Sequence, residues 1–335
     1  MNWWVKIYAM IKTINWGIIG CGDVTEQKSG PAFNKVANSK LLAVMRRDAA
    51  KAEDYAKRHK VEKWYSDADE LINNENIDAI YIATPPSSHL KYTLAALKKG
   101  LPVYVEKPVS LNTNEALQMA TAVEQYNGKL VVAHYRRKVP LFLKVKDLLD
   151  KQAIGEIRTV QLKMWQSAKP EIVTKNAGNW RTDPQISGGG YFHDLSPHQL
   201  DLMLYFFGEP LKYEGFSLRK SINNVADKVS GSIVFQHQIV FNGSWCFDVS
   251  ESETTDVCEI IGSEGSIKFA VFGKSILLKT AAGEELFNFQ HPEHIEQPMI
   301  ESVVRYINGQ EPNPCSIYEA ITVMKIIDAF SRFED

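Results

Sequence analysis

The chain is 335 residues long, more than a single hydrophobic core usually holds, so two domains are expected. It is 44% hydrophobic and 23% charged, as in an ordinary soluble globular protein. Its 38 basic and 40 acidic side chains leave a net charge of -2, which speaks against nucleic acid or an anionic membrane as partner, and no apolar stretch is long enough to span a bilayer.

Residues 1–13 read as an N-terminal extension. Lys6 and Lys12 interrupt its apolar run and no small-residue cleavage site follows, so a signal peptide is not expected. Met10 is an alternative start. The first strand is Ile14–Ile19, followed at once by Gly20-Cys21-Gly22-Asp23-Val24-Thr25. This G-x-G-x-x-T turn lacks the third glycine of the dinucleotide fingerprint. Its first two allow a tight turn and a close backbone approach to a pyrophosphate at a helix N-terminus, with Asp23 and Val24 opening that helix. Thr25 is expected to loosen helix–strand packing.

Apolar strands then alternate with helices: strands at 41–45, 79–83, 101–105 and 130–133, helices at 49–59, 67–73, 89–99 and 114–126. Strands apolar throughout, separated by helices, predict a parallel sheet covered on both faces. Ligands of such sheets sit at the carboxyl ends of the strands. Those ends carry Gly20 and Gly22, Arg46 and Arg47, Thr84-Pro85-Pro86, Glu106-Lys107-Pro108 and His134-Tyr135-Arg136. After strand two an acidic residue selects NAD through the ribose hydroxyl, whereas arginine suits the 2′-phosphate of NADP. Arg46 and Arg47 therefore favour NADP over NAD, with Asp48 a nearby carboxylate of reach to a ribose.

A helix over 141–149 leads into a strand from Ile157, and further strands read at 213–218, 228–235, 238–247, 257–261, 266–272 and 274–278. Gly262-Ser263-Glu264-Gly265 and Phe272-Gly273-Lys274 read as hairpin turns, so this half is an antiparallel sheet with few helices. Val240, Trp245 and Phe247 are candidates either for exposed apolar positions at a subunit interface or for core under the helices, and periodicity does not decide between the two. Helices near 295–307 and 318–330 are expected to pack back between the domains. The division is thus 14–135 for nucleotide binding and 136–335 for substrate binding and oligomerisation.

Between those strands lies Gly188-Gly189-Gly190-Tyr191-Phe192-His193-Asp194, continuing into a helix with His198 and Asp201. Asp194 and His198 are four apart and share a helix face. A carboxylate beside an imidazole is a proton-transfer pair near neutral pH. His193 points away from Asp194 and reads as structural, and Asp201 as a supporting residue. Trp180 and Arg181 precede the glycines and offer a flat apolar wall and a hydroxyl clamp. His291 and His294 flank Pro292 without further ligands, and the scattered Cys21, Cys246, Cys258 and Cys315 contain no close pair, so no metal is expected. The same cysteine usage points to a reducing, cytoplasmic setting.

The order of Gly20-Cys21-Gly22, Thr84-Pro85-Pro86…His89, Glu106-Lys107-Pro108, Trp180-Arg181 and the Gly-Gly-Gly…Asp…His helix resembles the Gfo/Idh/MocA oxidoreductases from about Ile14 to Phe330. The resemblance implies an α/β Rossmann domain joined to an α+β domain with an open, mainly antiparallel sheet that mediates a homodimer or homotetramer. It implies NADP- or NAD-dependent hydride transfer at a hydroxyl or carbonyl carbon of a sugar, polyol or related compound. Cofactor contacts then fall on Gly20, Gly22, Asp23, Val24, Arg46, Arg47, Thr84, Pro85, Pro86, His89, Glu106 and Lys107. Catalysis falls on Lys107, Asp194 and His198, with Tyr135, Arg136, Trp180 and Arg181 lining the substrate pocket. Two alternatives stand beside it: a catalytically silent nucleotide-binding regulator, and a reductase of dihydrodiol or anhydrosugar type.

Overall fold

The computed structural model describes residues 11–170, 172, 180–219 and 225–332; residues 1–10 of the expected extension lie outside this set. Of the rest of it, Lys12 is held at both ends. Its amide donates to Asn308 Oδ1 at 3.0 Å, and its ammonium pairs with Asp78.

The first half is a six-stranded parallel sheet in the order β3-β2-β1-β4-β5-β6. Its strands are β1 (Ile14–Ile19), β2 (Ser39–Met45), β3 (Lys63–Tyr65), β4 (Ala79–Ile82), β5 (Val103–Val105) and β6 (Leu130–Val132). The central strands are buried along nearly their whole length, because helices cover both faces: α1 (Asp23–Gln27), α2 (Ala49–His59), α3 (Ala68–Ile72), α4 (His89–Lys98) and α5 (Thr113–Gln125). Strand β3 is not among the predicted elements. Its Lys63 and Trp64 are exposed at the sheet edge, so it lacks the apolar run that marks its neighbours.

Helix α1 is only five residues long and passes into a 3-10 turn at Gly30–Asn34. Thr25 does not loosen this corner. It is fully buried and its hydroxyl donates to Gly22 O at 2.7 Å, while Tyr55 OH donates to Thr25 O at 2.9 Å. The side chain that replaces the third glycine thus closes the turn on itself, while the Thr25 carbonyl ties it to α2.

The second half opens with α6 (Pro140–Asp150) and is built on an eight-stranded sheet in the order β14-β13-β12-β11-β7-β10-β9-β8. The strands are β7 (Ile157–Trp165), β8 (Lys212–Leu218), β9 (Lys228–Val234), β10 (Val240–Cys246), β11 (Thr255–Gly262), β12 (Gly265–Phe269), β13 (Ser275–Thr280) and β14 (Gly283–Asn288). Pairing is antiparallel except between β7 and β10, which run parallel. Strand β14 is also unpredicted, because four of its first five positions are exposed and it carries no alternating pattern. Both predicted hairpin turns join the expected strands.

One face of this sheet is covered by α8 (Gly190–Phe207), which follows the single turn α7 (Pro184–Ser187), and by the C-terminal α10 (Ile317–Phe330). Trp245 and Phe247 belong to that covered face and are 1% and 3% exposed, which makes them core under the helices and not interface residues. Trp245 meets Phe192 edge-on and packs against Phe330, and Phe247 packs on Tyr191. Val240 is half-buried. The expected strand 238–247 begins only at Val240, because Gln236–Gln238 form a tight turn with His237 and Gln238 at positive φ.

The last two helices return to the first half. Before α9 (Gln297–Ile307), Glu296 N donates to Lys28 O at 3.2 Å and a His294 ring nitrogen lies 2.6 Å from Gln27 O. Helix α10 lies against α5 as well as α8, and Thr113 N donates to Asp328 Oδ2 at 2.9 Å.

Candidate active site

A cleft of about 550 Å³ runs along the carboxyl ends of β1, β2, β4 and β5 and continues to α8. That is the size of an ordinary small-molecule site. It joins the turn at Gly20 and Gly22, the basic end of β2, the Thr84–Pro86 segment, Lys107, and the Asp194–His198 face of α8. Of the residues singled out from the sequence, Asp23, Val24, Glu106, Tyr135, Trp180 and Arg181 also line it.

At the turn, Gly20 has φ +96 and its amide donates to Met45 O at 2.8 Å. A Cβ there would lie 2.7 Å from Thr84 Cγ2 and 2.9 Å from the Ala83 carbonyl carbon, so the backbone can approach the next strand end only without a side chain. The turn leaves a cradle beside the start of α1 that suits a dinucleotide's pyrophosphate. At the end of β2, Arg46 and Arg47 both line the cleft, as does Lys51. Asp48 does not. It is the N-cap of α2, accepting Lys51 N at 3.2 Å and pairing with Lys51 Nζ at 3.3 Å, which ties its carboxylate to the helix.

His89 lies outside the cleft and is fully buried. Its ring nitrogens sit 2.7 Å from Thr84 O and 3.0 Å from Pro108 O, so it fastens two cleft-forming turns to each other instead of presenting a group to a ligand. Burial pushes its pKa down to about 4.

Lys107 and Asp194 meet across the cleft. Lys107 Nζ donates to Asp194 Oδ1 and to Asp194 O, both at 3.0 Å, and Arg181 Nε donates to Asp194 Oδ2 at 2.8 Å. Pro197 lies inside α8 here without breaking it, and lacks the amide that would bond His193 O. Burial alone would raise the Asp194 pKa, but the two cations and their hydrogen bonds hold it well below the usual carboxylate range. The predicted Asp194–His198 pair therefore does not form. The two residues share a helix face, yet the carboxylate is taken by Lys107 and Arg181.

His198 is 3% exposed, its Nδ1 has no partner, and its ring makes no hydrogen bond among the described residues. The ring is held between Tyr135 and Phe272, both edge-on, at centroid distances of 5.3 and 5.5 Å. Burial, then the charges of Lys107 and Arg136, keep its pKa well below 6.5, so the imidazole is neutral at pH 7.

Arg136 is not a pocket residue. It is buried behind Phe272, donates to Val271 O and stacks over the Phe272 ring at 4.2 Å. His193 reaches Ser110 O at 3.1 Å, away from the cleft. Asp201 is gripped by Arg137 through Nε and Nη2 at 2.9 and 2.7 Å, with His134 and Cys315 nearby. These three could meet at one ion, but the guanidinium already supplies the positive charge.

Among the cleft residues that escape the sequence reading, Phe272 and Glu296 stand out. Phe272 occupies a hairpin turn, and the only signal is an aromatic residue beside a turn glycine. Glu296 comes from the C-terminal segment and is buried beside Glu106. Tyr81 OH donates to Glu106 Oε1 at 2.7 Å and lies 3.4 Å from Glu296 Oε2. Burial and the charge of Glu106 raise the Glu296 pKa far above normal, so this carboxyl keeps its proton.

Residues 14–134 match the profile described as the oxidoreductase family with an NAD-binding Rossmann fold, and residues 142–268 match the GFO/IDH/MocA C-terminal domain. The chain is 46% identical to "Oxidoreductase P35" of Formosa agariphila, over 96% of this chain and 99% of that protein. It is 27% identical to scyllo-inositol 2-dehydrogenase (NAD(+)) of Bacillus subtilis, over 75% of this chain and 72% of that one. Among solved structures, levoglucosan dehydrogenase in complex with NADH and levoglucosan superposes with a TM-score of 0.80 at 22% identity, covering 95% of this chain and 96% of that one. No helix among the described residues is long and apolar enough to cross a membrane.

Proposed function

Since the chain belongs to the Gfo/Idh/MocA family of NAD(P)-dependent oxidoreductases, we propose that it transfers a hydride between NADP(H) and a hydroxyl-bearing carbon of a sugar-like substrate. One observation carries this reading: a single cleft holds a dinucleotide turn at one end and the Lys107–Asp194–Arg181 cluster beside a neutral His198 at the other. The catalytically silent alternative leaves that buried charge cluster without a purpose, and burying three charges is costly unless something uses them. The relatives named for sugars and polyols support the substrate class.

The dinucleotide would lie along Gly20, Gly22, Asp23 and Val24, with Thr84, Pro85, Pro86 and Lys107 at its reactive end. When bound, its nicotinamide accepts or donates the hydride. The chain's residues handle the oxygen and the proton. Neutral His198 takes the hydroxyl proton in oxidation and returns it in reduction. Lys107 steadies the oxygen as negative charge develops. Asp194 fixes the ammonium, and Arg181 balances Asp194. Trp180 and Tyr135 wall the substrate end. Glu106 is a supporting group here, bonded to Tyr81 and the Lys107 amide.

Arg46 and Arg47, with Asp48 tied to its helix, favour NADP over NAD. Turnover with each cofactor tests this: Arg46→Ala is expected to lower kcat/KM for NADP about tenfold and to leave NAD nearly unchanged, as for one lost charged contact of about 1.4 kcal/mol. An NAD preference in the unaltered protein would overturn the assignment. The four free cysteines agree with a reducing cytoplasmic setting. The uncovered face of the eight-stranded sheet, with half-buried Val240 and Ser244, is the surface proposed for a homo-oligomer, a dimer or tetramer. Residues 14–135 and 136–335 are the proposed functional units.

A further inference from the structure

Phe272 sits in the turn between β12 and β13, on the sheet that belongs to the second half of the chain, yet its ring reaches His198. Two ionisable groups, the half-buried Asp256 and the buried Arg136, hold that turn. Asp256 accepts Val271 N–H at 3.0 Å and Phe272 N–H at 2.7 Å. Arg136, 3% exposed, donates to Val271 O, its guanidinium carbon lies over the Phe272 ring 4.2 Å from the centroid, and its Nε has no partner. His291 adds a contact from a ring nitrogen to Gly273 O at 3.0 Å. Burying an arginine beside a half-buried aspartate carries a desolvation cost that an ordinary hairpin turn does not need. What this arrangement fixes is the position of one side chain that lines the cleft.

The arginine covers one face of the ring, while the ring as a whole is only half-buried and borders the cleft between His198 and the rest of the pocket. Trp180, itself stacked by Arg181 at 4.5 Å, lines the same cleft. Aromatic surface of this kind binds the C–H face of a saturated ring. An open-chain polyol offers no such rigid face and loses more entropy on ordering.

We propose that Phe272, set by the Asp256 and Arg136 clamp, is a specificity-determining residue that selects cyclic over open-chain polyhydroxylated substrates. This rests on the sugar-dehydrogenase reading and sharpens it. Phe272 exchanges no proton and no hydride; it acts by contact with the substrate ring.

The test uses the full chain saturated with NADP, myo-inositol and methyl glucopyranoside as cyclic probes, and sorbitol and mannitol as open-chain probes. Binding is read by calorimetry and turnover by absorbance. In the unaltered protein the cyclic probes should bind about tenfold more tightly. Phe272→Ala should weaken the cyclic probes about tenfold, affect KM more than kcat, and move the open-chain probes little, so that the preference disappears. Phe272→Tyr should retain the preference, and Asp256→Asn should erode it in part. Melting curves confirm that each variant is folded. An equal effect on both probe classes, an effect below twofold, or no binding of any probe overturns the proposal. Cyclic probes that bind without hydride transfer refute the dehydrogenase reading alone, and calorimetry still tests Phe272.

Discussion

Lys107 is the residue on which the chemistry turns, and its surroundings differ from what spacing in the chain implies. The Glu-Lys-Pro motif and the Asp194–His198 interval were legible, because each is a local pattern on one strand end or one helix face. That Asp194 bonds Lys107 and Arg181, and leaves His198 between two aromatic rings, depends on residues 87 and 13 positions away from Asp194. No local pattern carries that information. The geometry sets the order of effects. Lys107→Met should lower kcat about 100- to 1,000-fold, as for loss of an oxyanion donor, and leave Kd for NADP within a fewfold of the unaltered protein. His198→Ala should cost about 100- to 10,000-fold in kcat, as for a lost general acid or base. Single-turnover absorbance and cofactor fluorescence separate the two quantities, and a Lys107→Met enzyme of ordinary turnover would refute the role.

At the scale of elements, the turn before α8 shows why its glycines are where they are. Gly188 has φ +90, and a Cβ there would lie 2.5 Å from His193 Nε2. Gly190 has φ +77, and its Cβ would lie 2.8 Å from Val225 Cβ. Both demands act together, a left-handed backbone and no room for a methyl group. Gly188→Ala should therefore destabilise the fold by about 1–3 kcal/mol, visible as a lower Tm, with the imidazole of His193 displaced from Ser110 O. An unchanged Tm would show that the turn yields freely. The glycine run was legible as a turn before a helix. That the His193 ring sits against that turn was not, because this contact needs the helix already in place. The edge strands β3 and β14 stayed hidden for a related reason. Edge strands keep much of their surface in water, so the apolar pattern that reveals central strands is missing.

Over the whole molecule, ionisation and topology combine. His89, His134, His193 and His198 are all buried and have pKa values below 6.5, with His89 and His134 near 4. In the unfolded chain these rings take up protons near pH 6.5. Between about pH 6.5 and 4 the unfolded state therefore binds more protons, and stability must fall as pH falls. The raised Glu106–Glu296 pair and Asp256 act in the opposite sense, because a carboxyl with a raised pKa binds more proton in the native state than in the unfolded chain. Four lowered imidazoles outnumber these three raised carboxyls. Tm should fall steadily from pH 7 to pH 5, and a flat or rising Tm would contradict the buried neutral histidines. The division into a parallel and a mainly antiparallel sheet was legible, since one alternates with helices and the other with short turns. The return of the last two helices between the domains was legible too, but not which strand edge and which helix they meet, since that depends on residues far apart in the chain.

That return has a consequence for synthesis. The edge of β6 is completed from the far end of the chain: Val132 N donates to Cys315 O at 3.0 Å, Asn313 Nδ2 donates to Leu130 O at 2.8 Å, and α10 then covers α5. The nucleotide-binding sheet is translated well before the segment that finishes it. A nascent chain carries an open sheet edge and an uncovered α5 while the eight strands of the second sheet are being made, and it closes them only when α10 emerges.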